Sequence, residues 1–217
     1  MDAPGVAPKR ISIFPLAGAI LYPSLRLPLH IFEPRYRAMV SDALARDRRI
    51  GMIQPRPYQA GAPTGAPRAD PLFDIGCLGH IDEVEALEDG RYNIVLVGVA
   101  RFRLLRELTV STPFRQIEAE LLPAREDEAL ASVERALFER EARAFADAQG
   151  YRVNWEEVTR LDDASLINGV SQIAPFDAAS KQALLEADGV SERCRLLVQL
   201  MQFYGRRDSD DGRATLQ

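Results

Sequence analysis

The apolar positions of this chain change their period near residue 123. Up to that point they alternate in short runs broken by prolines, and beyond it they recur at helical spacing. Arg10–Phe14 and Arg26–Phe32 read as short strands around a proline-bounded turn. Glu33-Pro34-Arg35-Tyr36 then opens a helix. Proline is preorganised for the first helical position, and an acidic residue just before it suits the helix dipole. Tyr36, Met39, Val40, Ala43 and Leu44 fall on one face of that helix. Arg37, Ser41, Asp42, Arg46 and Asp47 take the other.

Arg49–Ile53 reads as a strand, and Gln54–Pro71, with five prolines and two glycines, as a long loop. Asp74–Glu88 alternates, with Ile75, Cys77, Gly79 and Ile81 on one face, then changes phase at Asp82-Glu83, which predicts a bulge. Asp89-Gly90 predicts a two-residue hairpin turn. Tyr92–Leu105 is apolar on both faces as far as Val99, the pattern of a strand crossing the middle of a closed or covered sheet. Phe114–Leu122 supplies one more strand. Helices are expected over Arg125–Gln149 (carrying Leu130, Val133, Leu137 and Phe145), Trp155–Leu161, Ala164–Ile173, Ala178–Ala187 and Val190–Tyr204. The expected fold class is α+β. Residues 1–123 form a small β-barrel with one helix, and residues 124–217 a helical bundle with a frayed tail from about 206.

Composition narrows the function. The 217 residues are 47% hydrophobic and 27% charged, a globular balance. The net charge of −5 argues against a general nucleic-acid binder, which needs a basic face. Only Lys9 and Lys181 are lysine, so the positive charge is almost all arginine. Cys77 and Cys194 are expected to be free core thiols in a reducing cytosol. The run Ile11–Leu21 after Lys9-Arg10 imitates a targeting signal, but Pro15 breaks it and no small-x-small site follows. No apolar span reaches the length of a membrane helix, so a cytoplasmic protein without membrane partners is expected.

Catalytic signatures are missing. Neither lysine stands in a Gly-Lys-Ser/Thr loop, so no phosphate cradle of that kind exists. Ser171 and Ser191 have glycine on one side only, not the two a nucleophile elbow requires. His30 and His80 read as packed or strand-edge residues, and Asp82-Glu83 and Glu88-Asp89 as solvated acidic pairs. No catalytic residue, cofactor or metal is expected.

Three segments together carry a resemblance. Phe14-Pro-Leu, Tyr22-Pro and Leu27-Pro-Leu-His-Ile-Phe-Glu-Pro-Arg-Tyr36, then Ile75-Gly-Cys-Leu-Gly-His-Ile81 and Val97-Gly-Val-Ala-Arg-Phe102, resemble the amino-terminal, substrate-recognition domain of Lon proteases over residues 10–205. The resemblance implies a barrel related to RNA-binding PUA domains, followed by helices. It also implies a non-catalytic interaction module for unfolded or damaged polypeptide, with a protease or chaperone as a further partner. The ATPase and Ser-Lys protease modules of full-length Lon have no counterpart here, so a stand-alone, non-enzymatic protein is expected.

Within that resemblance, Pro34, Gly76, Gly98 and Arg101 read as structural signature residues. Glu33 and Arg35 are expected to pair with Arg101 or other charges and lock helix to barrel. A polypeptide groove is expected at Leu21, Tyr22 and Leu25 and at the Phe32, Glu33, Arg35 and Tyr36 corner, with Gln54–Pro71 as a flap. The alternative is RNA binding through the arginines at 46, 48 and 49 and at 101, 103 and 106. Those lie among Asp42, Asp47 and Glu107, which makes a solvated face the simpler reading.

Overall fold

The computed structural model describes residues 8–57, 71–123 and 129–214, with side chains as far as 205. The chain divides into two compact units, Met1–Pro123 and Ala124–Gln217. The first unit runs β1 (Lys9–Pro15), β2 (Arg26–Ile31), α1 (Pro34–Leu44), β3 (Arg49–Ile53), β4 (Ile75–Ala86), β5 (Tyr92–Glu107) and β6 (Gln116–Leu121). β5 pairs with β4, β4 with β3, β3 with β1, β1 with β6, and β6 returns to β5. Five strands thus close on themselves, which removes free edges from the ring. β2 stands outside it. It pairs with the Tyr92–Val97 half of β5, while β6 takes Phe102–Glu107 on the same strand.

Ile11, Ile13, Ile53, Leu78, Phe102, Ile117 and Ala119 form one core cluster of this unit. Phe102 fits because Gly76, its partner across the ladder, has no side chain. A Cβ on Gly76 would collide with the Phe102 ring and lie 2.5 Å from the Met52 carbonyl oxygen. α1 buries Tyr36, Met39, Val40 and Ala43, the face its periodicity predicts. Its first residue is Pro34, and the extended Glu33 precedes it.

The β4–β5 ladder slips register twice. Asp82 is the extra residue between the Ile81–Leu96 and Glu83–Val95 pairs, where the phase shift predicts a bulge. Val99 is a second, between Gly98 and Ala100, and small neighbours on both sides gave it no pattern signal. The hairpin turn differs from expectation. Leu87 N–H donates to the Arg91 carbonyl at 2.9 Å, so Glu88, Asp89 and Gly90 form a three-residue loop. Gly90 at φ 79° supplies the left-handed position that such a loop requires. Most of the Gln54–Pro71 loop, at 58–70, lies outside the described residues.

The second unit holds α2 (Ser132–Ala148), α3 (Trp155–Val158), α4 (Asp163–Ile173), α5 (Ala178–Glu186) and α6 (Val190–Ala214). α2, α4 and α5 each pack on α6. The buried stripe of α2 is Phe138, Ala142, Phe145 and Ala146, and not the one expected from Val133 and Leu137. Val133 is 79% exposed. Alanines four apart let a neighbouring helix come close while the two phenylalanines fill the flanks, a better seam than the larger but isolated valine. α3 is a single turn, shorter than Trp155–Leu161. α6 continues past Tyr204 to Ala214, since its sequence contains no proline and its two glycines, Gly205 and Gly212, cost only about 1 kcal/mol each.

Arg193, on α6, is completely buried. Its Nε donates to the Leu184 carbonyl at 2.9 Å and its Nη1 to the Asn168 side chain, which ties α4 and α5 to α6. Cys77 in β4 and Cys194 in α6 are both buried free thiols.

Candidate functional site

The strand-to-helix corner singled out by sequence divides into a buried and an exposed half. Leu21 and Tyr22 are both 0% exposed. The residues after them form an extra rung against β5. Ser24 N–H donates to the Gly98 carbonyl and Gly98 N–H to the Leu25 carbonyl, each at 2.9 Å. That pairing carries Leu21 and Tyr22 inward, with a Leu21 methyl only 2.8 Å from where Gly79 would place a Cβ. These two residues form core and offer no wall to a groove. Leu25 is half-buried.

The other half faces outward. Phe32 is 59% exposed, and its ring stacks over His30 at 6.2 Å between centroids. Glu33 pairs with Arg35 at 2.9 Å instead of reaching across to Arg101, which is buried within β5. The Arg35 guanidinium lies 4.5 Å from the centroid of the Tyr36 ring, and that ring packs on Phe14 at 4.2 Å. Burial holds the Tyr36 phenol above its ordinary range, against the opposing pull of the Arg35 charge. Glu33, Arg35 and Tyr36 thus form a local clamp at the start of α1.

Beside Phe32 a shallow trough of about 520 Å³ crosses β2, β5 and the bulged end of β4. Pro28 lies opposite Val95 and Val95 opposite Glu83; one step along, His30 lies opposite Asn93 and Asn93 opposite Glu85. A rung with Pro28 and Val95 as its apolar members and Glu83 at its end therefore lies beside a wholly polar rung of His30, Asn93 and Glu85. Asn93 Nδ2 donates to Glu85 at 2.7 Å, which turns the Asn93 oxygen toward His30 Nδ1, also at 2.7 Å. His30 Nδ1 therefore carries the proton, and Nε2 accepts from Arg91 at 3.3 Å. Arg26 closes the rim by pairing with Asp82 at 2.8 Å and with Glu83. Among the described residues Pro28, Leu29, Val84, Ile94 and Val95 give the trough apolar lining, and His30, Glu83, Glu85 and Asn93 give it hydrogen-bonding groups.

Sequence reasoning missed Pro28, Glu85, Asn93 and Val95 as site residues. The signal for Pro28 was present in Leu27-Pro28-Leu29-His30, whose alternation puts Pro28 and His30 on one outward face. The basic residues weighed for RNA are largely engaged: Arg46 pairs with Asp42 at 3.0 Å, Arg106 with Glu118, and Arg48 donates to the Ile81 carbonyl. Among the described residues no group of His, Cys, Asp and Glu could hold a metal, and no helix is long and apolar enough to cross a membrane.

Among the described residues these elements define an α+β chain in which a six-stranded sheet with one helix is followed along the sequence by five helices. Residues 10–202 match the substrate-binding domain of ATP-dependent protease La (LON), and the chain belongs to that family. It is 24% identical to Lon protease of Escherichia coli (strain K12) over 205 residues, covering 88% of this chain and 24% of that one. Lon protease 1 of Syntrophobacter fumaroxidans is 28% identical over 200 residues, covering 89% of this chain and 24% of that one. The chain thus spans about a quarter of the length of these relatives. Among solved structures, a Lon N-terminal domain protein from Xanthomonas campestris superposes with a TM-score of 0.65 at 19% identity, covering 88% of this chain and 98% of that one. The N-terminal domain of the Mycobacterium avium complex Lon protease gives 0.66 at 20%, with 89% and 98% covered. At such identities the two structures establish the fold.

Proposed function

We propose that this chain binds unfolded or damaged polypeptide segments through the trough on β2, β5 and β4, with Phe32 as an exposed anchor and no catalysis of its own. The carrying observation is the apolar Pro28–Val95 pair set beside the polar His30–Asn93–Glu85 rung in that trough, in a chain of the Lon substrate-binding family. Unrelated apolar segments need a shallow, adaptable surface with a satisfied polar rim, and the trough has that form. In this reading the first unit is a PUA-like recognition domain and the second a helical domain. The protein works in the reducing cytoplasm and hands its clients to a protease or chaperone. RNA binding has less support, because three of the arginines that suggested it, Arg46, Arg48 and Arg106, are engaged by neighbouring carboxylates or a carbonyl.

The test is fluorescence anisotropy of labelled, unfolded casein titrated with the wild type and with Phe32→Ser combined with Val95→Ser. The double variant is expected to bind more weakly by about 1–3 kcal/mol, the scale of two partly exposed anchors, at an unchanged melting temperature. Wild-type affinity in a folded double variant would remove the trough from the function.

A further inference from the structure

A second cavity, of about 500 Å³, lies where β1, the end of α1, the start of β3 and the turn before β6 meet. Four cationic residues line it, Lys9, Arg10, Arg46 and Arg49, with two acidic ones, Asp42 and Asp47. Arg46 is held by Asp42 at 3.0 Å, and Asp47 accepts the Arg49 backbone N–H at 3.2 Å. Among the described residues the side chains of Lys9 and Arg49 have no partner.

Arg10 is the instructive member. Thr112 Oγ donates to the Phe114 carbonyl at 2.9 Å, and Gln116 Nε2 donates to Thr112 Oγ at 3.2 Å. With its nitrogen so committed, the Gln116 amide must point its oxygen at Arg10, whose Nε donates to it. Gln116 is only 5% exposed, so the amide is fixed by its surroundings. The result is an arginine oriented by a neutral group. Elsewhere in the same unit Arg26, Arg56, Arg91, Arg106 and Arg115 are each paired with a carboxylate that cancels their charge. Arg10 is held in place with its charge intact and its terminal nitrogens without partners among the described residues.

We propose that this cavity binds the doubly charged phosphate end of a small ligand, a pyrophosphate or phosphate monoester. The excess of four cations over two carboxylates matches a dianion, where a single carboxylate would leave one cation unmatched. Arg10 supplies a planar fork suited to two phosphate oxygens, and Lys9 and Arg49 act as flanking charges. The volume suits a small molecule. Among the described residues no aromatic ring lines the cavity, so they give it no stacking platform for single-stranded nucleic acid. The site shares no residue with the trough, and its failure would leave the polypeptide reading untouched.

Isothermal titration calorimetry of the full chain with inorganic pyrophosphate, and separately with orthophosphate, tests the assignment. Pyrophosphate is expected to bind at one site, more tightly than orthophosphate and more weakly as salt rises. Arg10→Gln, an exposed change on a strand end, should lower affinity by about tenfold or more. Gln116→Leu, which keeps all four cations, should lower it by roughly threefold through loss of Arg10's orientation alone. Arg140→Gln, on the exposed side of α2, serves as a charge control and should leave it unchanged. No heat with pyrophosphate, full affinity in Arg10→Gln, or an equal loss in Arg140→Gln would overturn the site. Tighter binding of a single-stranded RNA, abolished by Arg10→Gln, would overturn the small-ligand assignment. Should Gln116→Leu lower the melting point, the Arg10→Gln comparison decides alone.

Discussion

The backbone carbonyl of Tyr22 is seated directly against the α-carbon of Gly98. A Cβ at Gly98 would collide with that oxygen, lie 2.7 Å from its carbon and 3.0 Å from the Pro23 α-carbon. The obstruction is main chain held by the Pro23–Gly98 bridge, so no rotamer change relieves it. Gly98→Ala should therefore cost about 3 kcal/mol or more, at or beyond the upper end of ordinary overpacking. Gly18 gives the contrast, because a Cβ there meets nothing within 4 Å and only its φ of +79° resists substitution. Gly18→Ala should cost about 1–2 kcal/mol. Urea denaturation of both variants measures the difference, and equal costs would refute the close-approach account.

Burial separates two residues that the sequence grouped together. Tyr22→Ser empties a fully buried position and should destabilise the chain by about 3–5 kcal/mol, as large aromatic truncations do. Phe32→Ser, at an exposed position, should change stability by less than about 0.5 kcal/mol. A Tyr22→Ser protein with wild-type stability would show that its side chain is not core.

What was legible follows from how local each determinant is. The α1 face, the start at Pro34, the β3 span and the Asp82 bulge were all readable, because period and proline chemistry act within a few residues. A closed sheet was expected, but that β5 and β6 close it was not readable, since this depends on pairing between residues such as Phe102 and Leu121 that carry no shared pattern. Leu21 and Tyr22 misled for a related reason. Large apolar residues in a turn look like surface until the turn itself becomes a rung of the sheet. The buried Arg193 left no trace either, because its partners are backbone carbonyls and one amide, contributed by other helices.

Burial pushes the Cys194 thiol up to about 11, helped by the negative charges of Glu134 and Asp163. A folded pKa above the unfolded value means this contribution to stability is complete below the ordinary thiol range, near pH 9, and is lost as pH rises through about 11. Native protein at pH 8 should resist alkylation by iodoacetamide at Cys194, and react once unfolded in urea. Rapid native labelling, read by mass spectrometry, would contradict the buried thiol.

The free edge of β2 carries the last prediction. Among the described residues β2 pairs with β5 alone, so its second edge is open. In an antiparallel ladder the residues that exchange both bonds with the partner alternate with residues that point away. Leu25 bonds Gly98 on β5, which puts Leu27, Leu29 and Ile31 in the bonded set and Arg26, Pro28 and His30 on the open edge. Pro28 therefore removes a donor from the edge and none from the ladder, the one place in a strand where proline costs little. It also spoils the template that an open edge offers to another chain. Pro28→Val should keep the fold, restore an outward N–H in the middle of the strand and promote self-association. Sedimentation velocity across a concentration series should show the variant forming dimers or larger species at concentrations where the wild type does not. If both sediment identically while the variant's melting point holds, Pro28 does not guard the edge, and the β2 backbone must be shielded by something else.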